Sequence, residues 1–196
     1  SPARIVRERD SARRAFGLAM LKRNHTRLCA CAAIAAALAL PARSRRHGPG
    51  HSVRGERALY FGFEESQEQI IRNMRSVGID LEKCVKKGLL RFHNSRPTAW
   101  GLEVHLAIIH NIIEDHNPSV VVVDPITNFL SVGDQVETKS MLMRLIDLLK
   151  TRQTTALFTS LTSGAAEIEA SEVGVSSLMD DWILVKNIES NGERNR

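Results

Sequence analysis

The chain has 196 residues, 43% of them hydrophobic, with 27 Lys and Arg against 22 Asp and Glu. That length suits one substantial domain, or one with a small appendage, around a water-soluble core. The net charge of +5 argues little for a nucleic-acid partner: residues 1–57 hold 13 basic against 3 acidic side chains, and residues 58–196 hold 14 against 19. Cys29, Cys31 and Cys84 lack the spacing of zinc ligands and are in keeping with a reducing, cytoplasmic setting. The apolar run over 28–42 is too short to cross a ~30 Å hydrocarbon layer comfortably, so no membrane partner is expected.

The first 54 residues read as an atypical leader, helical or disordered. Eight of the fourteen residues from Cys29 to Ala42 are alanine, a composition that favours helix but offers little surface to bury. Helices are predicted over 11–23 and 26–40, and the Arg-, His-, Gly- and Pro-rich segment 41–55 reads as loop. From residue 55 onward every segment has a clear period. A strand over 58–63 is followed by Ser66, three residues before Gln69, a capping-box arrangement. The helix it opens places Ile70, Ile71, Met74 and Val77 on one face, and Gly78 stops it. Asp80 opens a short helix that Gly88 ends, and 89–93 is a short strand. A helix over 102–114 carries Val104, Ile108, Ile109, Ile112 and Ile113. The unbroken apolar run at 120–123 is the pattern of a strand buried on both faces. A further helix carries Met141, Leu142, Leu145, Leu148 and Leu149, with strands at 154–159 and 182–185. Strands alternating with helices predict an α/β fold with a mostly parallel sheet flanked by helices.

In such sheets ligands bind beyond the carboxyl ends of the strands. Asp124 ends one predicted strand, where a carboxylate can hold magnesium, and Glu64 and Glu65 follow another, where one could orient or deprotonate a water. The plainer alternative is that all three are solvated acids at loop starts, with Glu65 assisting the helix cap. Thr159 and Ser160 end a third strand and could face a phosphate at the same rim. His105, His110 and His116 show no H-E-x-x-H arrangement and read as ordinary surface or partly buried histidines. No G-x-x-x-x-G-K-[ST] phosphate loop occurs anywhere in the chain.

Several strings carry a family resemblance. They are Gly55-Glu56-Arg57-Ala58-Leu59-Tyr60-Phe61 running into Phe63-Glu64-Glu65-Ser66, Gly78-Ile79-Asp80, the run 120–124, Phe158-Thr159-Ser160, and the stretches 175–184 and 188–194. In this order and spacing, residues 55–196 resemble the KaiC family of circadian clock ATPases and autokinases, within the RecA/DnaB superfamily. The resemblance implies a RecA-like ATPase domain that binds ATP and Mg2+ between subunits of a hexameric homo-oligomeric ring, with signalling or clock proteins as further partners. It implies Glu64 and Glu65 as paired catalytic glutamates, Asp124 as the metal-binding acid, and Ser176 and Ser177 as phosphoacceptors, with Ser171 at a further hydroxyl position.

The family's first strand and phosphate loop are expected where this chain has its leader, and a further strand is expected past Arg196. The sequence therefore predicts a domain incomplete at both ends and catalytically impaired, with an exposed sheet edge where the first strand is missing. A non-catalytic interaction module and a RecA/DnaB-like DNA-handling ATPase are the alternatives, the latter disfavoured by the acidic balance of residues 58–196. The leader's composition resembles GC-rich DNA read in a wrong frame that rejoins the proper frame near Arg54. Sequencing the encoding DNA tests this: an alternative frame should spell a G-x-x-x-x-G-K-[ST] stretch upstream, and its absence in all frames refutes the idea.

Overall fold

The computed structural model describes residues 16–21, 57–161, 178–185, 188–190 and 193–195. In chain order these form β1 (Phe16–Leu21), β2 (Ala58–Gly62), α1 (Gln67–Ser76), α2 (Glu82–Lys86), β3 (Leu90–Asn94) and α3 (Leu102–His116). Then follow β4 (Val120–Asp124), α4 (Gln135–Thr151), β5 (Thr155–Leu161), β6 (Asp181–Val185), β7 (Ile188–Ser190) and β8 (Glu193–Asn195). Six strands make one sheet in the order β3-β2-β4-β5-β1-β6, and every neighbouring pair is parallel. A separate antiparallel hairpin joins β7 to β8. The expected α/β class with a parallel sheet flanked by helices is the class observed.

The first segment departs from expectation. Composition predicts a helix over 11–23, but Phe16–Leu21 is a strand paired on both sides, Ala19 opposite Thr159 of β5 and Ile183 of β6. Alanine, leucine and methionine favour helix only weakly, and a short isolated helix is marginal in water. A slot between two parallel strands gives the same backbone a ladder on each side, and that pairing overrides the local preference. The sheet edge expected from a missing first strand is therefore covered by this segment. The helix predicted over 26–40 and the loop over 41–55 lie outside the described residues.

Side chains of β2 and β4 alternate between two cores, as the period of two requires. Leu59, Phe61, Val121 and Val123 face α3 and α4, where they meet Ile109, Ile113, Leu145 and Leu149. Ala58, Tyr60, Val120 and Val122 face the other layer, with Ile70 and Met74 of α1, Leu81 and Leu90. The predicted capping box at α1 is present, Gln69 N–H donating to Ser66 Oγ and Ser66 N–H to Gln69 Oε1. Asp134 and Glu137 form another at α4. Gly78 and Gly88 follow α1 and α2 with φ of 86° and 67°, the left-handed geometry that glycine adopts without strain.

The faces of two helices differ from expectation. Val77 caps the end of α1 and is half-exposed, and Val104 of α3 points to solvent. Ile109 and Ile113 of α3 are buried as expected, and His105 and His116 are buried beside them. Both histidines lie deeper than expected because backbone carbonyls meet them. His105 Nε2 is 2.7 Å from Pro97 O with its ring edge-on to Phe63 and Phe129, and His116 Nε2 is 3.1 Å from Ala58 O. Burial holds the His116 imidazole below its ordinary pKa. Among the described residues no helix is long and apolar enough to cross a membrane.

The placement of β1 predicts that Ala19→Pro, which deletes a ladder N–H and leaves a carbonyl unpaired, destabilises the fold by about 1–3 kcal/mol. Urea unfolding followed by circular dichroism measures this. An unchanged midpoint would place residues 16–21 outside the sheet.

Candidate functional site

The parallel ladder pairs Gly62 with Asp124 and Gly62 with Asn94, so β2, β3 and β4 end together at one rim. The Phe63 N–H extends the ladder by one bond to Asp124 O at 3.0 Å. Glu64 and Glu65 follow at once, before the cap of α1. The structure thus brings Glu64, Glu65 and Asp124 to the same end of the sheet.

Their surroundings differ. Asp124 is only 7% exposed, and its carboxylate accepts hydrogen bonds from the Tyr60 hydroxyl and from Thr159 Oγ1. Residue parity explains the trio: Tyr60, Asp124 and Thr159 sit on the same sheet face, on three adjacent strands. Glu64 is exposed, with Asn128 Nδ2 3.5 Å from its Oε1. Asn128 stands on the 3-10 segment Ile126–Ser131 that leads away from β4. Glu65 is partly buried, and its backbone carbonyl accepts from Asn94 Nδ2 at 2.6 Å.

Thr159 and Ser160 do not act as a pair. They alternate across β5, so Thr159 reaches Asp124 while Ser160 turns to the opposite face, fully buried and with no hydrogen-bond partner for its hydroxyl. Ser171, Ser176 and Ser177 lie outside the described residues.

Among the described residues no three His, Cys, Asp or Glu side chains form a metal cage. Magnesium does not need one, since it is commonly held by one or two carboxylates with waters and substrate phosphates completing the octahedron. Asp124 fits that role. Hydrogen bonds from the Tyr60 and Thr159 hydroxyls fix its orientation.

Sequence reasoning did not single out Tyr60, Asn94 or Asn128. Tyr60 was open to detection, because it is the polar-tipped residue of an otherwise apolar strand and shares the parity of the residue facing Asp124. Asn94 and Asn128 carry no such local signal, since what each one contacts is decided by how strands and loops meet.

The rim can also be set beside known proteins. The family model "ATPase: KaiC" matches residues 49–196. The chain is 47% identical over 146 residues to circadian clock protein KaiC2 of Synechocystis sp. (strain PCC 6803), a match covering 74% of this chain and 26% of that protein. It is 33% identical over 150 residues to circadian clock protein KaiC3 of the same organism, covering 75% and 29%. To the circadian clock oscillator protein KaiC of Thermosynechococcus vestitus it is 34% identical over 145 residues, covering 72% and 28%. The match thus spans little more than a quarter of the length of these relatives.

The shared carboxylate predicts that Tyr60→Phe and Thr159→Val each lower unfolding free energy by roughly 1–3 kcal/mol. Because both hydroxyls serve Asp124, the double variant should depart from additivity by 0.5 kcal/mol or more, on the order seen for residues sharing one network. Urea titration of the four proteins checks this, and additive or neutral effects would show that Asp124 does not depend on the two donors.

Proposed function

The chain belongs to the KaiC family of ATPases, and on that premise we propose a Mg-ATP phosphohydrolase domain in which Glu64 or Glu65 activates the attacking water and Asp124 organises magnesium. The observation that carries the reading is the common rim: one ladder ends β2 and β4 side by side, so the acids that follow them share one edge of the sheet. Glu64 is solvent-exposed, so a water can come within hydrogen-bond reach of its carboxylate. Asp124 is buried and held by two hydroxyls, which suits a carboxylate that must keep one orientation.

In hydrolysis the glutamate accepts the proton of a water whose oxygen forms the new bond to the γ-phosphorus, while the bond from that phosphorus to the departing ADP breaks. Magnesium, when bound, supplies neutralisation of charge on the phosphate oxygens. In a kinase mode the hydroxyl of Ser176 or Ser177 takes the place of water and yields its proton to the same base. A hexameric ring of identical chains, as the family resemblance implies, is the assembly proposed for this activity.

The sequence holds no G-x-x-x-x-G-K-[ST] stretch. Such a loop contributes several charge-assisted hydrogen bonds, roughly 1.5–3 kcal/mol each. The activity proposed for this polypeptide is accordingly weak, with low nucleotide affinity. A second reading is a non-catalytic interaction module, for which exposed apolar side chains such as Trp100, Val104 and Val136, at 55%, 44% and 75% exposure, would be the contact points.

Thermal unfolding in rising Mg-ATP separates the two readings. A nucleotide site raises the melting temperature by linkage, here expected only at millimolar ligand, and Glu64→Gln combined with Glu65→Gln should retain that rise while cutting phosphate release about 100-fold. No rise at any concentration, with no phosphate released, favours the interaction module.

A further inference from the structure

The Glu64–Glu65 corner is held by a residue to which the reaction above gives no part. Asn94 is the last residue of β3 and pairs with Gly62 across the ladder. Its Nδ2 donates to the Glu65 carbonyl at 2.6 Å, and the next backbone N–H, that of Ser95, donates to Gly62 O at 3.1 Å. On the other side the Phe63 N–H is tied to Asp124 O at 3.0 Å. The corner is therefore bonded to both flanking strands, to β3 through Asn94 and Ser95 and to β4 through Asp124.

Asn94 reaches Glu65 only by crossing Gly62. A Cβ at position 62 would lie 2.4 Å from Asn94 Nδ2 and 3.4 Å from its Cγ, so the amide fills the space that any side chain there would need. A side chain at position 62 would have to displace the Asn94 amide, a matter of close approach and not of an unusual φ. The residue type at 94 is equally constrained. Aspartate would turn an oxygen toward the Glu65 carbonyl and add a third negative charge beside two glutamates, whereas the amide offers a donor without charge. Asn128 touches the Glu64 carboxylate from the opposite side, but at 3.5 Å its bond is the weaker of the two.

We propose that Asn94 is a positioning residue: by fixing the Glu65 peptide across Gly62, it sets how the Glu64 and Glu65 carboxylates meet the Asp124 rim. This rests on the reading of that pair as the water-activating group. A displacement of about 1 Å at such a group can cost on the order of 100-fold in rate, so a single hydrogen bond to its backbone has a catalytic consequence.

Asn94→Ala removes the donor, and Gly62→Ala pushes it off the carbonyl while keeping Asn94 itself. Both are made in the full chain and followed by amide hydrogen exchange and by steady-state Mg-ATP hydrolysis. In both variants exchange over residues 63–69 should quicken roughly 3- to 10-fold, the span of one neutral hydrogen bond, with residues 120–123 unchanged. The kcat for hydrolysis should fall about 10-fold with KM for Mg-ATP unaltered. Unchanged exchange in both variants, or a rise spread equally over 120–123, overturns the proposal. So does a local rise with kcat intact. A wild-type chain that releases no phosphate overturns the water-activating reading and the catalytic sense of this proposal, and the exchange data still decide whether Asn94 holds the corner.

Discussion

The register between β2 and β4, with Gly62 opposite Asp124, is the constraint on which the rest of the structure depends. Side chains alternate along a strand, so register decides which of them share a face. Slip β4 by one residue and Asp124 would leave the face that presents Tyr60 and Thr159. The four valines that precede it would exchange their two cores at the same time. The apolar contacts of those valines, none more than 9% exposed, thus hold the carboxylate in register.

A buried carboxylate is costly unless its lone pairs are met. Here two hydroxyls meet it from both neighbouring strands, Tyr60 from β2 and Thr159 from β5. The arrangement ties three central strands through one polar group at the end where the loops begin. Satisfied networks of this kind specify a single geometry, and a partly satisfied one is worse than an apolar core. The contrast with Glu64 and Glu65 follows from distance along the chain. They lie beyond the last ladder bond of β2, are more exposed, and meet the amides of Asn94, at the Glu65 carbonyl, and Asn128, at the Glu64 carboxylate.

Much of the fold was legible in the sequence because its elements announce themselves locally. The capping box at Ser66 and Gln69, the glycine stops at 78 and 88, and the valine run ending in Asp124 each follow from short-range chemistry, and each is present. The common rim was legible too, since a parallel sheet places strand ends that carry acids on one side. Errors arose where a neighbour outvoted the local pattern. Phe16–Leu21 has helix-favouring residues and is a strand because β5 and β6 leave a slot that satisfies its backbone twice over. The buried face of α3 was read correctly at Ile109 and Ile113 but without its two histidines, which count as polar in any periodicity, yet backbone carbonyls of Pro97 and Ala58 make both acceptable inside.

The sequence by itself determined the α/β class, the order of the elements from β2 to β6 and the acids that end their strands, because backbone propensity, turn chemistry and alternation all act over a few residues. Only the tertiary structure decided what those acids touch: the hydroxyls that hold Asp124, the amide that crosses Gly62 to Glu65, and the separation of Thr159 from Ser160 onto opposite faces. These contacts join residues up to 64 positions apart, Tyr60 with Asp124 among them. Strand order and register set such distances, and both result from the packing of the whole sheet.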